Sequence, residues 1–258
     1  MSPDNAQKST ADPIPGIPSL GVHAPAARLG VAVVRQLADV IVTGALQPGQ
    51  LLPPEAQLTA QFGVSRTVIR ESVKRIEEKG LVTVAQGFGT RVTDPSEWNL
   101  LDPVVLSAMI EHDDALGVLD ELSKVRAGLE SMMAAESAGR VTASELAELD
   151  GILGEMRSTV DDHDRFVEAD RRFHALVMQI SGNRLAPSIA RTLFNRASES
   201  RRFHGVDPDD ALQVTLAAHE RIAEAIRDGD APRAEREMFD HIQGSWESRR
   251  LPAGGRDQ

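Results

Sequence analysis

The sequence predicts a mainly α-helical protein, with an N-terminal winged helix-turn-helix joined to a C-terminal antiparallel all-helical bundle. Three observations lead there. From Leu52 to Val92 a short helix, a Gly-centred turn, a second helix and a Gly-rich hairpin follow one another in about forty residues. That layout sets one helix into the major groove of DNA. Beyond Pro103 apolar residues recur at helical spacing, and no β-branched alternation marks a strand. Aromatics make up 3% of the chain and Tyr is absent, so the core rests on Leu, Ile, Val, Ala and Met, which favours helices.

Each element has a local reason. Residues 1–25 are rich in Pro, Ser and Gly without periodicity and read as a disordered tail, as do residues 251–258. The winged domain is expected over 26–92. Its first helix carries Leu29, Val33, Val34, Leu37, Val40 and Ile41 on one face and stops at Gly44. Pro48-Gly49 is a turn. Glu55 to Phe62 forms a short helix ended by Gly63, and Ser65 is placed to cap the next, whose buried stripe is Val68, Ile69, Val73 and Ile76. Gly80 closes that helix. Val82–Val84 and Thr90–Val92 flank the wing tip, Gln86-Gly87-Phe88-Gly89. Residues 93–103, with two Pro and Trp98, read as a linker. Helices are then expected near 104–111, 115–138, 143–160, 163–180, 185–203, 208–228 and 231–248, so that 104–250 forms the bundle.

Composition excludes several classes. The 258 residues include no Cys, which removes disulfides and thiolate metal sites and suits a reducing cytoplasm. No apolar run is long enough to span a membrane, and no secretory signal opens the chain. The net charge of −11 is unevenly spread: residues 26–92 hold eight Lys/Arg against five acids, residues 1–25 carry −1, and residues 93–258 carry −13. A basic reading head on an acidic partner domain has this signature.

Within the head, Arg66, Thr67 and Arg70 face away from the aliphatic stripe. Arg at a helix start can reach guanine O6 and N7 with two hydrogen bonds, and Thr can reach a phosphate or base edge. The helix N-terminus at Ser65 favours a phosphate. Gly87 lets the wing tip approach the DNA backbone, and Gln86 can enter the minor groove. The alternative is that these are ordinary surface polar residues. The segment from Pro48 to Val92 resembles the GntR family of bacterial regulators along its whole length. The resemblance implies operator contacts by Arg66, Thr67, Arg70 and Gly87. One position departs: the family usually carries Arg after the Glu of its LPxE segment, where this chain has Ala56. The resemblance therefore implies a different or weaker reading of that operator base pair.

In the helical region Asp170 and His174 stand four apart on one expected helix, with His219 and His241 on two others, each flanked by apolar residues. Three His and one carboxylate suit a divalent transition metal such as Zn, Ni or Mn; buried structural histidines are the alternative. Asp170-x(3)-His174, then His219, then His241 also resembles the FCD ligand-binding domain of FadR-type GntR regulators. That resemblance implies a metal held by these four residues and a carboxylate effector clamped by an Arg on the first long helix, which is Arg126 of KVRAGLE here, with Glu130 one turn later. A plain ion pair is the other reading of Arg126. The segment EWNLLDPVVL resembles that of FadR-type regulators responding to sugar acids, although Ala108 replaces a frequent Trp. His112, His163 and His204 read as surface residues.

The expected function is a homodimeric, cytoplasmic repressor that binds palindromic double-stranded operator DNA and is released by a small, sugar-acid-like carboxylate bound at a metal. The protein is not expected to be an enzyme. A metal-sensing regulator and a metallohydrolase with a DNA-binding head are the alternatives, the second weakened by the lack of a general base beside the ligands. A fatty-acyl-responsive regulator is disfavoured by the full metal set.

Overall fold

A computed structural model describes residues 26–85, 87–200, 203 and 208–250. The expected tails, Gln86 and His204 lie outside the described residues. The chain divides into two compact units, residues 1–112 and 113–258.

In the first unit α1 (Ala26–Val42) buries Val33, Val34, Leu37, Ala38 and Ile41, the i, i+3, i+4 face read from the sequence. It is followed by α2 (Glu55–Phe62) and α3 (Arg66–Glu78). Gly63 takes a left-handed conformation at the end of α2, and the Ser65 hydroxyl accepts from the Val68 N–H to cap α3. Of the expected α3 stripe, Ile69 and Ile76 are buried while Val68 and Val73 are half-buried. The wing is an antiparallel pair, β1 (Val82–Ala85) and β2 (Gly89–Val92), with Val82 opposite Val92 and Ala85 opposite Gly89. Leu51 bridges to Arg91 on the outer side of β2.

Two expectations need correction. The helix expected at 104–111 as part of the bundle is α4 (Pro103–His112), which instead packs on α1, and Val105 joins the first unit's core. Residues 93–103 are also bound to the first unit rather than forming a bare linker. Thr93 N–H donates to the Leu81 carbonyl and Asn99 N–H to the Lys79 carbonyl. Trp98 packs against the same core. Asp102 accepts from Lys79 Nζ at 2.7 Å and from the Val104 N–H at 2.8 Å, so one carboxylate closes the end of α3 and caps α4.

The second unit holds α5 (Gly117–Ala138), α6 (Ala143–Ser158), α7 (His163–Ile180), α8 (Ala186–Glu199), α9 (Ala211–Arg227) and α10 (Ala231–Arg249). A capping box between Thr142 and Glu145 starts α6, and the side chains of Asp162 and Asp230 cap α7 and α10. The longest helix, α5, packs on α7, α8, α9 and α10. Its N-terminal end is tied to the end of α10 through Asp120, which accepts from Trp246 Nε1 and from the Arg250 guanidinium. The core comprises Phe166, Phe173 and Val177 of α7, Ile222 and Ile226 of α9, and Met238 and Ile242 of α10. Among the described residues no helix is long and apolar enough to cross a membrane.

Candidate functional site

On α7 the buried face runs Phe166, Ala169, Phe173 and Val177, and Asp170 and His174 sit along its edge, one turn apart. His219 projects from the buried face of α9 and His241 from α10. Helix packing brings all four together: one ligand atom from each lies within 4.8 Å of the other three. His219 Nε2 is 3.3 Å from His174 Nε2, 3.1 Å from His241 Nε2 and 3.6 Å from Asp170 Oδ1. His174 Nε2 is 3.9 Å from the same oxygen. Donors bound to one cation at about 2.0–2.2 Å stand roughly 3–4.4 Å apart, so these spacings fit a single divalent ion.

The electrostatics favour neutral imidazoles. Burial pushes the His219 pKa well down, and His241, His174 and Arg126 push it further. His241 is lowered chiefly by burial, then by His174 and Arg126. Neutral imidazole is the form that binds a metal. Phe173 stacks on the His219 ring at 4.3 Å and fixes its plane.

Behind His174 stands a residue that the sequence brought into view only as a neighbour of Arg126. Glu130 is 2% exposed, and its Oε2 approaches His174 Nδ1 to 2.6 Å, with no other polar partner for either atom among the described residues. Its Oε1 accepts from Arg126 Nε at 2.6 Å. Burial acts to raise the Glu130 pKa; Arg126 and His174 outweigh it and hold the carboxyl well below the usual carboxylate range. A carboxylate behind a histidine orients the ring and raises its basicity as a ligand. The spacing signal was present, since Arg126 and Glu130 lie four apart on α5, but only the packing of α5 on α7 turns Glu130 toward His174.

Asp170, His174, Glu130 and Arg126 line a cavity of about 520 Å³ between α5, α7 and α8. Arg126 is thus both ion-paired and at the cavity wall: Glu130 engages Nε, and the guanidinium lies 4.3 Å from the centre of the Phe194 ring. A second cavity of about 160 Å³ reaches Asp170, His174 and His241 from the α9–α10 side.

In the first unit, Ser65, Arg66, Thr67 and Arg70 are exposed at the start of α3. Arg70 Nε donates to both carboxylate oxygens of Glu55, at 2.9 and 3.0 Å, which fixes its direction relative to α2. Ala56 is exposed on the first turn of α2 and offers only a methyl group there. Gly87 (φ 82°) and Gly89 (φ 87°) turn the wing tip, and Phe88 between them is 79% exposed. Sequence reasoning gave Phe88 no role.

A recognition helix with a wing, joined to a helical domain holding a ligand-sized cavity, defines a DNA-binding transcription regulator. The comparisons make the particular assignment. Residues 29–92 match the family described as bacterial regulatory proteins, gntR family, and residues 121–244 match the FCD domain. The chain is 34% identical over 221 residues to the galactonate operon transcriptional repressor of Escherichia coli (strain K12), covering 85% of this chain and 95% of that protein. It is 33% identical over 207 residues to the HTH-type transcriptional regulator YieP of the same organism, covering 79% and 88%. It is 27% identical to the HTH-type transcriptional repressor NanR of Cronobacter sakazakii, covering 96% of both chains. The chain belongs to the GntR family and carries an FCD domain; it is a transcription regulator and not an enzyme.

Proposed function

We propose that the protein is a cytoplasmic, homodimeric repressor of the FadR-type subfamily, released from a palindromic operator by a small sugar-acid-like carboxylate. The observation that carries this reading is the convergence of three imidazole Nε2 atoms and Asp170 in one cluster, of which Asp170 and His174 line a cavity together with Arg126. Asp170, His174, His219 and His241 would hold a divalent cation, Zn, Ni or Mn, which when bound supplies open coordination positions for a carboxylate. Arg126, pre-oriented by Glu130, offers its remaining N–H groups to the same carboxylate. The printed name of the galactonate operon repressor supports a sugar acid as the ligand class.

At the operator, Arg66 and Arg70 would read base edges, with Thr67, the α3 N-terminus at Ser65 and the wing residues Gln86 and Gly87 on backbone or minor groove. Release requires the effector to prefer one conformer of the protein, and about 1–3 kcal/mol of coupling, 5–150-fold in DNA affinity, is the usual range. A gel shift on the DNA upstream of its own gene, with added metal and a panel of hexonates, tests the reading. Retarded DNA should be released by at least one acid. Failure to retard any palindrome there, or retention against every acid, would overturn it.

A further inference from the structure

We infer that the effector carries two anionic groups: one carboxylate at the inner wall of the 520 Å³ cavity, and a second anion held at its rim by Arg171 and Arg191. This rests on the carboxylate-effector reading above. The cavity is graded by burial. Its inner wall is Glu130 and His174, both buried, with Arg126 largely covered; its rim carries Arg171 and Arg191, both exposed. Four arginines from three helices line it (Arg126, Arg171, Arg172 and Arg191), in a stretch of chain, residues 93–258, whose net charge is −13.

The internal charges leave two of these cations over. Glu130 is matched to Arg126, and Glu155 holds Arg172 at 2.5 Å. Asp170 belongs to the ligand cluster. Arg171 and Arg191 make no ion pair among the described residues and, unlike the other unpaired arginines of this unit, both line the cavity. A single carboxylate engaging the metal ligands and Arg126 would leave this rim uncompensated.

The cavity is long enough for such a ligand. Lining residues run from Asp170 to Gln179 on α7 and from Pro187 to Asn195 on α8, about 12–14 Å along each axis. Gln179 and Asn195 also line the cavity and offer amides for hydroxyl groups. A guanidinium fork matches a carboxylate or a phosphate equally well, so either can be the second anion.

Calorimetric titration of the full-length, zinc-loaded protein decides the matter. The probes are galactonate (one carboxylate), galactarate (a carboxylate at both ends of the same skeleton), 6-phosphogluconate (carboxylate and phosphate) and uncharged galactitol. At least one dianion should bind ten-fold or more tightly than galactonate, and galactitol should not bind. The double variant Arg171→Gln, Arg191→Gln should bring the dianion to within two- to three-fold of galactonate and leave galactonate unchanged. Preference for galactarate alone assigns a second carboxylate, and preference for 6-phosphogluconate alone assigns a phosphate. Galactonate binding as tightly as both dianions, or a double variant that weakens galactonate equally, overturns the inference and leaves the carboxylate reading standing. If no acid binds, the carboxylate reading itself falls.

Discussion

Glu130 joins two partners in a site nearly closed to water, and its removal tests the whole arrangement. Glu130→Gln leaves the largely covered Arg126 and the buried His174 without their counter-charge. Breaking such a pair costs about 3–5 kcal/mol, which a denaturant titration of the metal-free protein should register. Metal affinity should fall about 10–100-fold, the usual effect of losing a carboxylate behind a ligating histidine. Competition against a chromophoric chelator measures it, and an unchanged affinity would detach Glu130 from the site. Asp170→Ala should lower metal affinity further without comparable loss of stability, because Asp170 is partly exposed and stands 3.6 and 3.9 Å from His219 and His174, beyond hydrogen-bond length. The histidines set a pH dependence. His219 and His241 have folded-state pKa values below their ordinary 6.5, so below about pH 6.5 the unfolded chain takes up more protons than the folded one. Stability in EDTA should therefore decline as pH falls from 7 to 5.5. Glu130, lowered from its ordinary 4.5, loses its contribution only at more acid pH and adds nothing in that window. A denaturation midpoint equal or higher at pH 5.5 would contradict a neutral imidazole cluster.

At the scale of elements, the junction after α3 is held by two features that the sequence offered only as a glycine and a loop aspartate. Gly80 has φ 76°, and a Cβ there would stand 2.3 Å from the Glu97 carbonyl oxygen. Gly80→Ala should destabilise the first unit by at least about 1–3 kcal/mol, the cost of a strained backbone conformation, and in thermal melts should lower its transition. Asp102→Ala removes the Lys79 pair and the α4 cap together, and about 1–2 kcal/mol is expected from the cap. Both changes lie outside the proposed base-reading residues, so a loss of DNA affinity should parallel the loss of folded protein. The helices themselves were legible: every expected helix from 115 onward has a counterpart within a few residues, because Gly, Pro and capping Asp or Thr punctuate a 3.6-residue apolar period. The allegiance of α4 was not legible. Its apolar residues fit either core, and only its packing on α1 chose between them.

For the whole molecule, the proposed sensing site and the proposed DNA-reading residues lie on separate compact units, so the two roles should be separable by experiment. Chelation by EDTA should leave operator binding at neutral pH within a few-fold of the untreated protein while abolishing its response to the acid; loss of DNA binding on chelation would favour the metal itself as the signal. Arg66→Ala should weaken operator binding by about 1–3 kcal/mol if it reads a guanine, and should narrow the gap between operator and random DNA. Quantitative gel shifts against both DNAs check this. The basic head within a net −11 chain also implies strong salt dependence of that binding.

The sequence by itself determined the two-part architecture, the helix punctuation, the wing and the identity of the four residues that converge, because periodicity, turn residues and side-chain chemistry are local properties. It could place Asp170 and His174 on one face from a spacing of four. Tertiary structure decided what no spacing encodes: that His219 and His241 arrive within 3.1 Å of each other, that Glu130 backs His174, and that Arg126 is ion-paired and cavity-lining at once. These depend on the contacts of α5, α7, α9 and α10, set by how apolar faces interlock across a hundred residues of chain.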